Sequence, residues 1–182
     1  MPSPGYTGEP ALPSGALAIP SIISGLPVTS IASYAFNSCD NLTSVTIPNS
    51  VTNIGDGAFQ HCASLGSAYF SGNAPSFDGV SVFGNDNATV YVLPNTTGWG
   101  SFSNPVPVLW NPHAVNDATF GLKTNRFGFT IAGPTNVPII VVACTNLTNP
   151  VWVPISTNML PSYFSDALWT NFPVRFYRFR SP

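Results

Sequence analysis

The sequence predicts a mostly β chain in two modules: a short solenoid of parallel strands in 23-residue coils, then a small antiparallel β-domain. Three observations predict it. Residue types recur at an offset of 23 between residues 28 and 65. Beyond residue 119 the apolar residues fall in short β-branched or aromatic runs, separated by Pro and Asn clusters. The charges divide near the same place. Six acidic residues and no Lys or Arg precede position 118, and five basic residues face the single acid Asp166 after it.

The repeat defines the first module. Val28-Thr29-Ser30-Ile31 returns as Val51-Thr52-Asn53-Ile54, Ala35-Phe36 as Ala58-Phe59, Cys39 as Cys62 and Leu42 as Leu65. Ile47-Pro48 returns two periods later as Leu93-Pro94, with Phe70 between them. A coil of this length cannot bury its apolar side alone, so neighbours must stack. In Leu42–Ile47, Leu42, Val45 and Ile47 are expected to face inward, and Ser44 and Thr46 then face outward. Pro48 ends the strand because it cannot donate to a continuing ladder. Val51, Ile54, Ala58 and Phe59 bring the coil back inside, with Phe59 stacked on Phe36. Asn49-Ser50 and Asp56-Gly57 have turn chemistry. The third copy lacks the Cys and the Ala-Phe pair but keeps Phe77 and Phe83. The outward strand positions are expected to form a column of Ala18, Ser44, Thr46, Ser67, Tyr69, Val90 and Val92. Tyr69 leads it as a binding residue, since tyrosine supplies contact area at low entropic cost.

The expected boundaries are a solenoid over residues 1–98, a closing segment and linker over 99–118, and a β-domain over 119–182. Four strands are legible in that domain: Phe127–Ile131, Ile139–Cys144, Val151–Ile155 and Arg175–Phe179.

Composition narrows the function. Only 7% of the 182 residues are charged, against about 25% in an ordinary soluble domain. Uncharged polar residues fill the gap, with 17 Asn, 20 Ser and 16 Thr. Aromatics at 13% exclude a disordered chain. A net charge of −2 speaks against nucleic acid as a partner. The longest nearly apolar run, Val137–Cys144, is too short to span a bilayer. Met1-Pro2-Ser3-Pro4 has neither the basic nor the apolar region of a secretory leader, so none is expected in the sequence as it stands.

Chemistry-bearing residues are scattered. His61 and His113 have no neighbour at a triad or metal-ligand spacing. Asp86 lies in a turn that reads as a capped turn, the alternative being calcium, which wants six to eight oxygens. No phosphate-cradling loop, nucleophile elbow or C-x-x-C occurs. No catalytic residue, no cofactor and no metal is expected. Cys39 and Cys62 fall in neighbouring coils, where a strand spacing of about 4.8 Å would permit a disulfide. They read as free buried thiols, as does Cys144. Four glycosylation sequons, at Asn41, Asn87, Asn95 and Asn146, matter only in a glycosylating host.

The segment Leu42-Thr43-Ser44-Val45-Thr46-Ile47-Pro48 through Ala58-Phe59, Cys62 and Leu65 resembles the BspA-type leucine-rich repeat. Ile19-Pro20 to Ile31 resembles that family's first coil, and Ala88 to Pro112 its closing segment, so the likeness covers roughly residues 10–112. It implies a leucine-rich-repeat solenoid without catalytic residues, in a secreted or surface-exposed, mostly bacterial protein that binds a ligand or mediates adhesion. Thr145–Trp152 and Ser162–Arg178 are similar to a short β-module appended to many secreted bacterial proteins. The expected function is therefore binding or adhesion, extracellular or at the cell surface, with a protein or glycan as ligand. The alternative is a structural subunit that assembles with copies of itself head to tail. In that reading Arg175, Tyr177, Arg178, Arg180 and Trp169 meet the acidic repeat surface of the next copy.

Overall fold

The structure is a computed structural model that describes residues 12–79, 81–84, 87–102 and 105–181. The turn around Asp86, with its calcium reading, lies outside the described residues. The chain is mostly β and divides into two compact units, residues 1–107 and 108–182.

In chain order the first unit holds β1 (Gly15–Ala18), β2 (Ile22–Ile23), β3 (Leu26–Pro27), β4 (Ser30–Ile31), β5 (Leu42–Ile47), β6 (Asn53–Gly55), β7 (Ser67–Phe70), β8 (Ser76–Asp78) and β9 (Thr89–Val92). Strands β1, β5, β7 and β9 lie side by side, all parallel. Strands β4, β6 and β8 form a second parallel ladder, and β2 and β3 make a short hairpin. This is a β-solenoid of about 23 residues per coil, as the offset requires.

The turns are tied across coils as well as within them. The Phe36 N–H donates to the Ala58 carbonyl at 2.8 Å, Ser38 to Gln60 at 2.9 Å, Phe59 to Val82 at 2.9 Å and Thr52 to Thr29 at 2.8 Å. Backbone groups that a buried loop would otherwise orphan are satisfied by the neighbouring coil. Inside, Leu42, Val45, Ile47, Ile54, Phe59, Cys62, Leu65, Ala68 and Val90 are buried in one core. Phe36, Phe59 and Phe83 stack in a column, with centroids 5.1 and 5.5 Å apart and planes within 7° and 12° of parallel. Ile31 pairs in register with Ile54, and Ile54 with Phe77. Gly57 has φ +62, and a Cβ there would collide with the Tyr34 ring, so this turn position requires glycine.

The third coil departs from the expected register. Ile47 aligns with Phe70, 23 residues on, but Phe70 aligns with Val92, only 22 residues on. Leu93-Pro94 is therefore not the counterpart of Ile47-Pro48. Phe83 follows Phe59 by 24 residues, so the coil gains one residue before its stacked ring and loses two before its strand. At the far end, Trp99 in a single 3-10 turn (Trp99–Ser101) meets Phe70 edge-on at 5.0 Å, and Phe102 rests against Phe77 at 4.8 Å.

The second unit holds β10 (Val108–Leu109), β11 (His113–Val115), β12 (Gly121–Lys123), β13 (Arg126–Ala132), β14 (Pro138–Cys144), β15 (Val153–Met159), β16 (Ser162–Asp166) and β17 (Phe176–Arg180). Strand β13 pairs antiparallel with β11, β12 and β16. Strand β14 pairs antiparallel with β15 and β17. Phe129, Ile131 and Phe164 of the first sheet pack with Ile139 and Val141 of the second, joined by Phe127, Tyr177 and Phe179. Residues 99–118 are thus shared out: Trp99 and Phe102 belong to the repeat core, and β11 to the second unit's sheet. Strands β11, β12 and β16 were not among the four legible in the sequence.

Phe59→Ala should destabilise the repeat unit by about 3–5 kcal/mol, because it opens a cavity between two stacked rings. Urea denaturation of the variant against wild type checks this.

Candidate functional site

The outward face of the strand ladder is the first place to look. In register, Ala16, Ser44, Ser67 and Thr89 form one row, and Ala18, Thr46, Tyr69 and Tyr91 the next. Val90 and Val92 belong instead to the inward rows, Val90 beside Val45 and Ala68, and Val92 beside Ile47 and Phe70, and both are buried in the core. Their expected place on the outward face is corrected. The one-residue shortening of the third coil moves every side chain of β9 to the opposite face from the one expected. Thr89 and Tyr91 take those positions, and the spacing of Tyr69 and Tyr91 was the signal for it.

The row is also less open than expected. Tyr69 and Tyr91 stack at 5.1 Å with planes 17° apart, and they are only 4% and 9% exposed. Ser44 is buried as well. Burial pushes both phenols above their usual range. Tyr69 is a packed residue here and not exposed contact area.

A more open feature runs along the turns that follow the strands. Asn49, Thr52, Ser71, Asn73 and Thr96, with Val51, Gly72 and Ala74, line a groove of about 380 Å³. Pro48 and Pro94 each end a strand before this corner, and the chain turns there with Asn and Ser or Thr. Asn73 Oδ1 accepts the Thr97 N–H at 2.9 Å, which fixes one wall. Gly72 lies so close to Asn49 that a Cβ would come within 2.8 Å of its Cα. The lining carries no charge and is about half polar, so it offers hydroxyls and amides beside apolar surface to a ligand.

In the second unit, the residues expected at an assembly surface are mostly used internally. Arg175 Nε pairs with Asp166 Oδ2 at 3.1 Å, with both side chains largely buried. The Tyr177 hydroxyl donates to the same oxygen at 2.9 Å, and the Leu168 N–H donates to Oδ1 at 2.9 Å. Tyr177 also stacks on Phe127 at 5.5 Å. Arg175 and Tyr177 are therefore corrected: they hold Asp166 within the unit, because a buried carboxylate needs both a counter-charge and hydrogen bonds. The signal for this hub was in the sequence, since Asp166 is the sole acid among the late basic residues. Arg178 and Arg180 remain exposed, and the Arg178 guanidinium lies 4.3 Å from the Trp152 ring centre. Trp169 is half-buried in a 3-10 turn, Trp169–Asn171.

The remaining reactive side chains stand apart. His61 occupies a turn at φ +61, and the His113 Nδ1–H donates to the Asn111 carbonyl at 3.0 Å. Cys39, Cys62 and Cys144 are buried thiols outside any disulfide, with the Cys62 thiol 3.1 Å from the Phe36 carbonyl. Asp117 accepts from the N–H and hydroxyl of Thr119, which holds its carboxyl below the usual range. Among the described residues no three His, Cys, Asp or Glu converge as a metal site, and no helix is long and apolar enough to cross a membrane.

Stacked coils around a shared apolar core define the first unit as a solenoid scaffold. Its family follows from comparison: the BspA type leucine rich repeat region (6 copies) matches residues 15–104, and this region of the chain belongs to that family. Leucine-rich repeats typically serve as non-enzymatic scaffolds for protein interaction, and the BspA type typically occurs on bacterial surfaces. No curated protein and no solved structure matches the chain.

Asp166→Ala should cost the second unit about 3–5 kcal/mol, because it strands a buried guanidinium. Burial, then the neighbouring Asp166, pushes the Tyr177 phenol well above its usual range. Its neutral form is thus favoured in the folded state, while the unfolded phenol ionises from about pH 10. Its contribution is complete below that pH and is lost as pH rises above it. Denaturation at pH 9 and pH 11 should show a smaller loss of stability in Tyr177→Phe than in wild type.

Proposed function

We propose that this chain is a non-enzymatic binding protein, extracellular or at the cell surface, that holds a neutral ligand group in the groove along its turn column. The ligand is an uncharged stretch of a surface protein or glycan. The observation that carries this reading is the lining of the groove, where Asn49, Thr52, Ser71, Asn73 and Thr96 converge without a charged neighbour. Hydroxyls and side-chain amides pair with sugar hydroxyls and peptide groups, and they do so without the desolvation cost of a charge. The stacked coils hold the groove still, so little ordering is needed on binding. The repeat family's usual role supports the non-enzymatic part of the reading.

Titration calorimetry against neutral polysaccharides and uncharged extracellular peptides tests the proposal. Asn49→Ala with Ser71→Ala should weaken binding of the ligand so found roughly tenfold, since two hydrogen bonds are worth about 0.5–1.5 kcal/mol each. Unchanged affinity in the double variant moves the contact elsewhere, and product formation from the ligand refutes the non-enzymatic reading.

A further inference from the structure

The second unit holds a pocket that its own core does not fill. It lies where β14 ends and β15 begins, and Ala143, Val151, Val153, Ile155, Phe172 and Arg175 line a space of about 320 Å³ there. Ala143 pairs with Val153 on one side and with Tyr177 on the other, and Ile155 packs against the apolar core. The pocket is therefore one end of that core. A cavity of about 150 Å³ accommodates benzene. This one has room for an apolar body of that size together with a polar head group. Its walls are mainly aliphatic or aromatic, and Arg175 brings the one charge to them.

Arg175 is not fully used by its own unit. Its Nε pairs with Asp166 Oδ2, and its guanidinium lies 4.4 Å from the centre of the Phe172 ring. Its Nη1 is buried, and among the described residues it has no hydrogen-bond partner. A guanidinium carries five N–H donors in one plane, and a buried donor left without an acceptor costs stability. Asp166 is already committed, since Oδ2 also accepts from the Tyr177 hydroxyl and Oδ1 from the Leu168 N–H. The Phe172 ring over the guanidinium is 38% exposed, so a small swing of that ring admits an oxygen from the pocket.

Charge and shape decide the kind of oxygen. The unit carries five basic residues against two acids, and such an excess draws anions. The planar fork of an arginine matches a carboxylate, which presents two oxygens in one plane. A bare phosphate would leave the aliphatic walls unfilled.

We infer that this pocket binds a carboxylate carried on a compact apolar body. The carboxylate accepts from Arg175 Nη1, and the body lies against Val151, Val153, Ile155 and Phe172. A free aliphatic or aromatic acid presents this chemistry, and so does the carboxyl-terminal apolar residue of a peptide. The site is distinct from the neutral groove of the repeat unit, and neither reading rests on the other.

Titration calorimetry of the full chain with hexanoate, 3-phenylpropionate and N-acetyl-valyl-valine tests it. At least one of these should bind with a dissociation constant below about 1 mM. The corresponding amides should bind at least about tenfold more weakly, because a charge-assisted pair becomes a neutral one. Tightest binding by the dipeptide identifies a chain terminus as the source, and tightest binding by either simple acid identifies a free acid. Val153→Glu sets a carboxylate at the mouth on an exposed side chain, so it should keep the wild-type melting temperature and bind at least about tenfold more weakly. Arg175→Lys keeps a counter-charge for Asp166 but removes the fork, and should lose as much. Leu122→Glu, a similarly exposed residue outside the pocket, should bind as wild type does. Cys144 also lines the pocket, so bound acid should slow its alkylation by iodoacetamide while Cys39 and Cys62 react as before. The inference is overturned if no acid binds below about 1 mM, or if the amides bind as well as the acids. It is also overturned if Val153→Glu or Arg175→Lys binds as wild type does, or if bound acid leaves Cys144 alkylation unchanged.

Discussion

The repeat unit depends on backbone hydrogen bonds that cross from each turn to the same turn of the next coil. A turn such as Tyr34–Ser38 closes on its own Ala32 and Tyr34 carbonyls, and the carbonyls of Ala58 and Gln60 in the next coil hold it in place. Stacking at this offset places Phe59 on Phe36, Ile54 beside Ile31 and Leu65 in the shared core. Pairing and packing thus reinforce one another along the axis, and the energetics are those of neighbours rather than of a single centre.

Such a repeat is legible because it is local. The inward roles of Val45 and Ile47 follow from strand alternation, and those of Leu42 and Ile54 from the apolar residue that recurs 23 positions away. The limits were equally physical. A one-residue change in spacing is invisible when a hydrophobic residue stands on either side, as Val92 and Leu93 do. It still reverses a whole strand. The burial of Tyr69 was hidden for a different reason: its ring stacks on Tyr91 of the next coil, which alternation within one strand does not register.

The second unit was legible only in part. Its longest strands, β13 and β14, carry clear β-branched or aromatic runs. Strand β16 reads Ser-Tyr-Phe-Ser-Asp and is recognised only by its pairing with β13. The role of Arg175 depends on that pairing too. A basic residue near the terminal strand looks like surface until Asp166 is placed beneath it.

Trp99 seals the end of the solenoid, and it is also the one tryptophan before residue 108. The other three, Trp110, Trp152 and Trp169, lie in the second unit. The chain therefore carries a built-in optical label for each half. With those three replaced by phenylalanine, emission would follow the loosening of the last coil alone. An unfolding curve read from all four indoles would blend the two units, and this division of indoles separates them.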